Sequence, residues 1–132
     1  MRNYGMRQTK ALVNALVALT VFLALPAAAS CTLPVPDGAD KPPSRPNVDG
    51  AISRAGRGFV VVADRVGRRP VRVEYTHKTQ FYSAFGGDYE PSDLAVGQHV
   101  SVWFSGCKAA KNRVGHAAYL QLYSKDPTDQ PR

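Results

Sequence analysis

The chain has 132 residues, a length that allows one small domain and excludes a multidomain protein. It carries 17 basic and 10 acidic residues, for a formal net charge of +7. Three of the basic residues lie within the first ten positions, so residues 31–132 hold 14 basic and 10 acidic residues and a net charge of +4. This mild basicity is compatible with anionic polymers or membrane surfaces and is diagnostic of neither.

The first 30 residues have the parts of an export signal. A basic stretch without acids, residues 1–10, precedes an apolar stretch from Ala15 to Leu25, and small residues follow Pro26. The apolar stretch is shorter than the roughly 20 residues that a membrane-spanning helix needs. The alternative is an uncleaved N-terminal anchor, because the region from Ala11 to Ala29 is almost long enough. We predict that residues 1–30 form a signal peptide and that the protein is exported.

Cys31 stands where this signal ends, and the sequence allows two uses of its thiol. Ala28-Ala29-Ser30-Cys31 is similar to a bacterial lipobox, whose cysteine receives a lipid, although alanine occupies the position where leucine is usual. Cleavage before Ser30 would instead leave Cys31 able to pair with Cys107, the only other cysteine. That bridge would contribute about 4 kcal/mol through loop closure. We favour lipidation of Cys31; the alternatives are a Cys31–Cys107 disulfide and, third, two free thiols.

Composition divides the remainder of the chain into three parts. The stretch from Thr32 to Asn47 holds five prolines and few large apolar residues, and such a segment does not bury enough surface to offset the entropy of ordering. We therefore predict a flexible tether over residues 31–48, a barrel domain over residues 49–124 and a disordered tail over residues 125–132.

From Asp49 onward the pattern alternates with a period of two, which is typical of β-strands. Residues 50–64 predict a strand pair or one bent strand, with a bulge near Gly56 and Gly58. A short aromatic strand follows within residues 79–85. One helical turn is expected around residues 91–97, with Ser92 as its cap and Gly97 as its end. The side chains expected to face the core are Val71, Val73, Tyr75, Val100, Val102, Phe104, Ala118, Leu120 and Leu122.

Five short strands must cover their own apolar face and hide their edges, so we predict an all-β fold, a small five-stranded OB-like barrel. The stretch DLAVGQHVSVWFSG, residues 93–106, is similar to a segment of small bacterial OB-like domains in which the leucine plugs the barrel and the glycine makes a tight turn. With the lipobox and residues 117–124, this pattern resembles the small bacterial envelope lipoproteins of the YobA-like type. The resemblance covers residues 49–124, and its motifs are structural.

A second OB-like family, the periplasmic haem chaperones, also has an Asp-Leu-x-x-Gly-Gln turn. Those proteins attach haem through a histidine in the C-terminal segment, and residues 119–132 contain no histidine. We therefore predict no haem and no other cofactor.

No residues in the sequence have the spacing of a catalytic or metal site. The three histidines, His77, His99 and His116, lie near different strand ends, where we expect them to be exposed. A solvated loop and a helix cap explain the acids of residues 88–93 more simply than a calcium site does. No serine lies in a nucleophile motif. We predict that the protein is not an enzyme and holds no metal.

The strongest functional pattern is a set of cations in two loops. In an OB barrel, the loop between strands one and two and the loop between strands four and five flank the ligand face. We assign these loops to residues 64–70 and 106–115. Their cations would form an anion-binding rim: Arg65, Arg68, Arg69, Lys108, Lys111 and Arg113. The alternative is that these are ordinary solvated loop charges.

Three aromatic residues bear on the same question. Tyr82 and Phe85 would add stacking surface near the third strand. Trp103 falls on the outward phase of its strand, and we expect the proline-rich arm to cover it rather than leave it exposed for binding.

The sequence therefore predicts a non-enzymatic cell-envelope lipoprotein. A lipid on Cys31 would hold it to a membrane, facing the periplasm or the cell exterior, and its barrel would bind an anionic ligand or an envelope protein, with nucleic acid not expected. The alternative is a soluble secreted OB-fold protein with a Cys31–Cys107 disulfide that binds an anionic oligonucleotide or glycan. A hydrolytic or metal enzyme is the third hypothesis.

Overall fold

The computed structural model describes residues 30–35, 41–67, 69–129 and 131. The predicted signal up to residue 29, part of the predicted tether and Arg68 lie outside these ranges. Within these ranges the chain forms six strands: β1 Val48–Gly56, β2 Phe59–Asp64, β3 Val71–Glu74, β4 Gln80–Ser83, β5 His99–Phe104 and β6 Val114–Leu122. Short 3-10 turns lie at Pro91–Asp93, Ser105–Cys107 and Pro127–Asp129, the last within the predicted tail. Within the described ranges, none of the helical segments is long and apolar enough to cross a membrane.

The strands close into the predicted OB-like barrel. β1 pairs antiparallel with β2 and with β5, β2 pairs antiparallel with β3, and β5 pairs antiparallel with β6. The parallel pairing of β3 with β6 joins the two ends of this sheet and closes it. β4 is an additional strand, parallel to β6 and outside the five-stranded ring. The barrel is therefore mixed, with no open edge within the ring.

The first predicted strand segment is a strand pair. β1 and β2 are joined by a two-residue turn in which Gly58 has a φ of 77°, a left-handed conformation that glycine adopts without steric cost. The predicted bulge lies elsewhere: the register shifts between Ile52 and Arg54 rather than at the glycines. The glycines form the turn, and the strand bends three residues earlier.

The core contains most of the side chains expected to face inward. Val73, Val100, Val102, Leu120 and Leu122 are fully buried, as predicted. One position in β6 differs, because the register between β5 and β6 pairs Trp103 with Tyr119 and Phe104 with Ala117.

Ala118 is therefore an extra residue in β6, a bulge that reverses the phase of the strand before it. Ala117 is buried in its place, and Ala118 is only half-buried.

The predicted helical turn is shorter than expected and is capped by a different residue. It spans Pro91–Asp93, with Glu90 as its N-cap. The Glu90 backbone N–H donates to the Asp93 carboxylate at 2.8 Å, and the Asp93 N–H donates to the Glu90 carbonyl at 2.9 Å. Ser92 lies inside the turn and is not its cap. Gly97, with a φ of 86°, belongs to the separate tight turn that leads into β5.

Residues 30–35 and 41–47, which we call the strap, lie against the outer face of the barrel. The Thr32 N–H donates to the Ser44 hydroxyl at 3.0 Å, and the Ser44 N–H donates back to the Thr32 carbonyl at 2.8 Å. Asn47 holds the strap to the barrel, since its side-chain oxygen accepts from the Phe104 N–H at 2.8 Å. The described parts of the predicted tether are thus joined to the domain by specific hydrogen bonds.

Cys31 and Cys107 form a disulfide in the structure, with their Cα atoms 5.4 Å apart. The Asn47 amide donates to the Cys107 carbonyl at 3.1 Å, which brings the strap beside this cysteine. The favoured prediction, lipidation of Cys31, requires a thioether at the same sulfur atom. The structure instead contains the alternative, the Cys31–Cys107 disulfide. A sulfur atom in a disulfide has no valence left for a lipid.

Candidate functional site

The two cationic loops lie at the same end of the barrel. β3 and β6 are parallel neighbours in which Arg72 pairs with Val114, so the segments that precede these two residues run side by side. The backbone confirms this proximity, since the Arg72 N–H donates to the Arg113 carbonyl at 2.8 Å. We call this the loop end; its described residues are 65–67, 69–70 and 105–113.

The loop assignment from the sequence needs a correction. Residues 65–70 connect β2 to β3, whereas we assigned them to the connection between strands one and two. That first connection is the tight turn at Gly58, because residues 48–64 form two strands rather than one. The two cationic loops still meet, and the parallel pairing of β3 with β6 is the reason.

Two adjacent surface grooves at the loop end contain four of the six predicted rim cations. Lys108 and Lys111 line the first groove, of about 570 Å³. Arg69 and Arg113 line the second, of about 530 Å³. The grooves adjoin each other because Phe104 and Ala109 line both.

Arg65 does not line either groove. The Arg65 guanidinium Nη1 lies 3.6 Å from the Asp49 carboxylate, an ion pair between the loop after β2 and the start of β1. Arg68 is outside the described residues.

The four groove cations have little local neutralisation. Among the described residues, no carboxylate oxygen lies within 4.0 Å of the charged nitrogens of Arg69, Lys108, Lys111 or Arg113. One acid, Asp64, lines the second groove and accepts a hydrogen bond from the Val66 N–H at 3.0 Å. Side by side, the two grooves hold more positive than negative charge.

The loop that carries three of these cations has an unusual backbone. Asn112 and Arg113 have φ values of 50° and 64°, in the left-handed region. They form the two central positions of a tight turn in which Lys111 and Val114 exchange backbone hydrogen bonds of 2.9 Å. Glycine is the usual residue at such a position, and another residue there is less stable by about 1 kcal/mol. Arg113 therefore stands at a position where stability alone favours glycine.

The floor of the grooves is apolar. The Phe104 ring, 2% exposed, packs directly over Gly115. A Cβ atom at residue 115 would lie within 2.5 Å of several atoms of that ring, so only glycine leaves the ring in this place. Val48, Val71 and Ala110 extend the apolar lining of the second groove, and Val114 that of the first.

A polar cluster between β1 and β5 was missed by the sequence analysis. His99, predicted to be exposed, is 4% exposed, and its Nε2 lies 2.6 Å from the Asp49 carboxylate. Ser101, also buried, donates to the same carboxylate oxygen at 2.8 Å. The cluster joins β1 to β5, and its signal in the sequence is the alternation of His99 and Ser101 on one face of β5.

The Asp49 cluster does not have the geometry of a hydrolase. Ser101 donates to Asp49 and not to His99, so the imidazole does not activate the hydroxyl as a nucleophile. No cluster of three or more metal-ligating His, Cys, Asp or Glu side chains occurs within the described part of the chain. The arrangement is suited to holding two strands together.

The aromatic residues suggested for ligand stacking lie far from the loop end. Tyr82 pairs with Gln121 of β6, seven residues beyond Val114, or roughly 23 Å along the strand. Its ring stacks on Tyr119, with centroids 5.2 Å apart, and burial together with the neighbouring Tyr82 raises the pKa of Tyr119. Phe85 packs edge-to-face on Tyr123. The structure does not bring these aromatic side chains together with the cations.

Comparison of the chain with protein-family models, with curated proteins and with solved structures gives no match. The resemblance to YobA-like lipoproteins, which rests on residues 93–106 and their surroundings, stays a prediction. The function is therefore argued from the geometry of the loop end.

Proposed function

We propose that the protein is an exported, non-enzymatic binding module of the OB-like type that holds an anionic ligand at the loop end. The observation that carries this proposal is the parallel pairing of β3 with β6, which gathers Arg69, Lys108, Lys111 and Arg113 around two adjoining grooves. Each cation alone is an ordinary loop residue. Their convergence on a concave surface is what favours the binding of an anionic ligand.

Electrostatics supports an anionic ligand. Charges that line adjoining grooves add their fields over distances comparable to the Debye length, about 8 Å at physiological salt. A ligand between them meets a positive potential, while Asp64, the acid among the described residues that line the grooves, offsets only part of it. Arg113 adds a second argument, since a strained backbone position is retained most readily where the side chain has a use.

Export is supported by the disulfide and by the first 30 residues. A stable disulfide is typical of oxidising compartments outside the cytosol. The proposed form is therefore a secreted or periplasmic domain closed by Cys31–Cys107. The lipid-anchored form is the competing proposal, and it requires a free Cys31.

The mass of the mature chain separates these two forms. Cleavage before Ser30 with an intact disulfide predicts an unmodified polypeptide that loses two hydrogens relative to the reduced chain. A lipid-anchored form would begin at Cys31 and carry the mass of acyl groups. Finding acyl groups would replace the disulfide form with the envelope lipoprotein and leave the loop-end site to be tested separately.

Titration against polyanions tests the site. The chain with its disulfide intact is titrated with a heparin-like glycan, anionic vesicles and a single-stranded oligonucleotide, at low and at high salt. We expect binding to at least one, weakening as salt rises. The double reversal Arg69→Glu/Arg113→Glu and the double reversal Lys108→Glu/Lys111→Glu should each weaken binding by similar factors.

The matched control is Arg54→Glu/Arg57→Glu. These exposed cations lie at the β1–β2 turn, roughly 17 Å along β2 from the loop end, and their reversal changes the net charge by the same amount. If the control weakens binding as much as the loop-end reversals, only net charge matters. If no polyanion and no small anion binds at low salt, the proposed function is wrong.

A further inference from the structure

The grooves at the loop end combine two properties that a simple polyanion site does not need. Their cations stand on the loops, whereas their floor is formed by Phe104, Val48, Val71 and Val114. Ala109, exposed between the two grooves, continues this apolar surface across their junction. The concave surface is thus apolar below and positively charged at its margins.

This arrangement discriminates between classes of anion. Glycans and nucleic-acid backbones carry their charges on strongly hydrated groups. Proteins that bind such polymers supply many hydrogen-bond donors along the polymer. An apolar floor contributes little to the binding of such ligands. By contrast, pockets for small amphiphilic molecules are lined mainly by apolar side chains, with a few polar groups that fix the orientation, and have volumes of about 300–1,000 Å³. Each groove falls in this range.

We infer that the loop end binds an amphiphilic anion, a carboxylate or phosphate group attached to a single acyl chain. The acyl chain would lie over Phe104 and Ala109, which line both grooves, and the anionic group would meet Arg69 and Arg113. This inference rests on the proposed function, because it names the ligand class of the same site. A fatty acid and a single-chain phospholipid share this chemistry.

Chain length is the variable that tests the acyl chain. Acetate, hexanoate, decanoate and dodecanoate have the same charged group and are titrated as monomers by calorimetry. Burial of each methylene contributes about 0.8 kcal/mol, so affinity should rise roughly fourfold per methylene until the groove is filled. Dodecyl phosphate, titrated alongside dodecanoate, distinguishes a phosphate from a carboxylate headgroup.

Two variants test the two parts of the site separately. Arg69→Gln/Arg113→Gln removes charge from the second groove and should weaken dodecanoate binding by about tenfold or more, with little effect on uncharged dodecanol. Ala109→Trp fills the junction of the grooves without changing charge and should reduce the dependence on chain length. The control for this bulky change is Ala55→Trp, at an exposed position of β1. Thermal unfolding establishes that each variant is folded.

The outcomes separate this inference from the proposed function. If acetate and dodecanoate bind equally, or if dodecanol binds as tightly as dodecanoate, the ligand class is wrong while an anion site can still stand. If the polyanions bind and the acyl series does not, the ligand is a hydrated polyanion and the inference is overturned. If neither series binds at low salt, both the inference and the proposed function fail.

Discussion

The indole Nε1 of Trp103 donates a hydrogen bond of 2.7 Å to the backbone carbonyl of Ser44. Trp103 is 4% exposed because the strap lies over it, as we expected from the sequence. Its ring system also packs perpendicular to the Tyr119 ring, at a centroid distance of 5.6 Å. The barrel thus has a second buried layer on its outer face, and this layer depends on the strap remaining in place.

Breaking the disulfide should loosen this layer. The Cys31→Ser and Cys107→Ser variants each release the strap, and closing a loop between residues 76 apart contributes about 4 kcal/mol on the chain-entropy estimate. Trp103 is the only tryptophan, so its fluorescence reports directly on the strap and should shift to longer wavelength. The double variant is the control and should match either single variant. Spectra that differ between the two single variants would contradict a shared disulfide.

Shortening a side chain on either face of β6 should destabilise the protein. Leu120→Ala removes a fully buried core side chain and should cost about 2–5 kcal/mol. The Tyr119 side chain faces outward but lies under the strap, between Tyr82 and Trp103. Tyr119→Ala should therefore lower the free energy of unfolding by a similar amount. Urea unfolding measures both values. Val66→Ala, at an exposed loop position, is the control and should change stability by less than about 0.5 kcal/mol.

A small effect of Tyr119→Ala beside a large effect of Leu120→Ala would show that the strap does not cover β6. In that case the burial of Trp103 would also have to be lost, and its fluorescence would show this independently.

Removal of the Asp49 carboxylate should cost about 2–4 kcal/mol, because it leaves both His99 and Ser101 buried without their acceptor. Denaturant unfolding of Asp49→Ala measures this value. Ser101→Ala introduced into the Asp49→Ala background should recover part of the loss, since it removes one unsatisfied group. Asp88→Ala, on an exposed loop, provides the matched control. Additive losses in the double variant would rule out the shared hydrogen bonding.

Arg113 should show opposite effects on stability and on binding. Arg113→Gly relieves the left-handed backbone and should raise the free energy of unfolding by up to about 1 kcal/mol, while weakening anion binding. Arg113→Ala is the matched control: it loses the same charge and keeps the backbone strain, so it should weaken binding without the gain in stability. Equal stability of the two variants would mean that residue 113 is not held in this conformation in solution.

Alternation in the sequence predicted much of the fold. Val100, Val102, Leu120 and Leu122 are buried where the period-two pattern placed them. The pattern failed at Ala118 because a bulge adds one residue to β6, and nothing local distinguishes Ala117 from Ala118 as the inward residue. It failed at His99 because burial of a histidine depends on a partner, here Asp49, that lies 50 residues away in the sequence.

The sequence predicted which residue types form the candidate site, but only part of how the fold brings them together. Lys108, Lys111 and Arg113 could be recognised as loop cations from their positions between two strands. Their meeting with Arg69 depends on the parallel pairing of β3 with β6, whose partners are separated by about 40 residues and leave no local signal. Arg65 was included for its position in the loop, yet it pairs with Asp49.

The sequence by itself determined the class of fold, because side-chain alternation acts locally along the chain. The domain limits drawn from proline content stay a prediction. The sequence also restricted Cys31 to a few uses. Only the tertiary structure decided which residues meet: the barrel closure that joins the two loops, the strap over Trp103 and the pairing of Cys31 with Cys107. These contacts join residues far apart in the chain, and their energies depend on closure of the whole barrel rather than on any short stretch of residues.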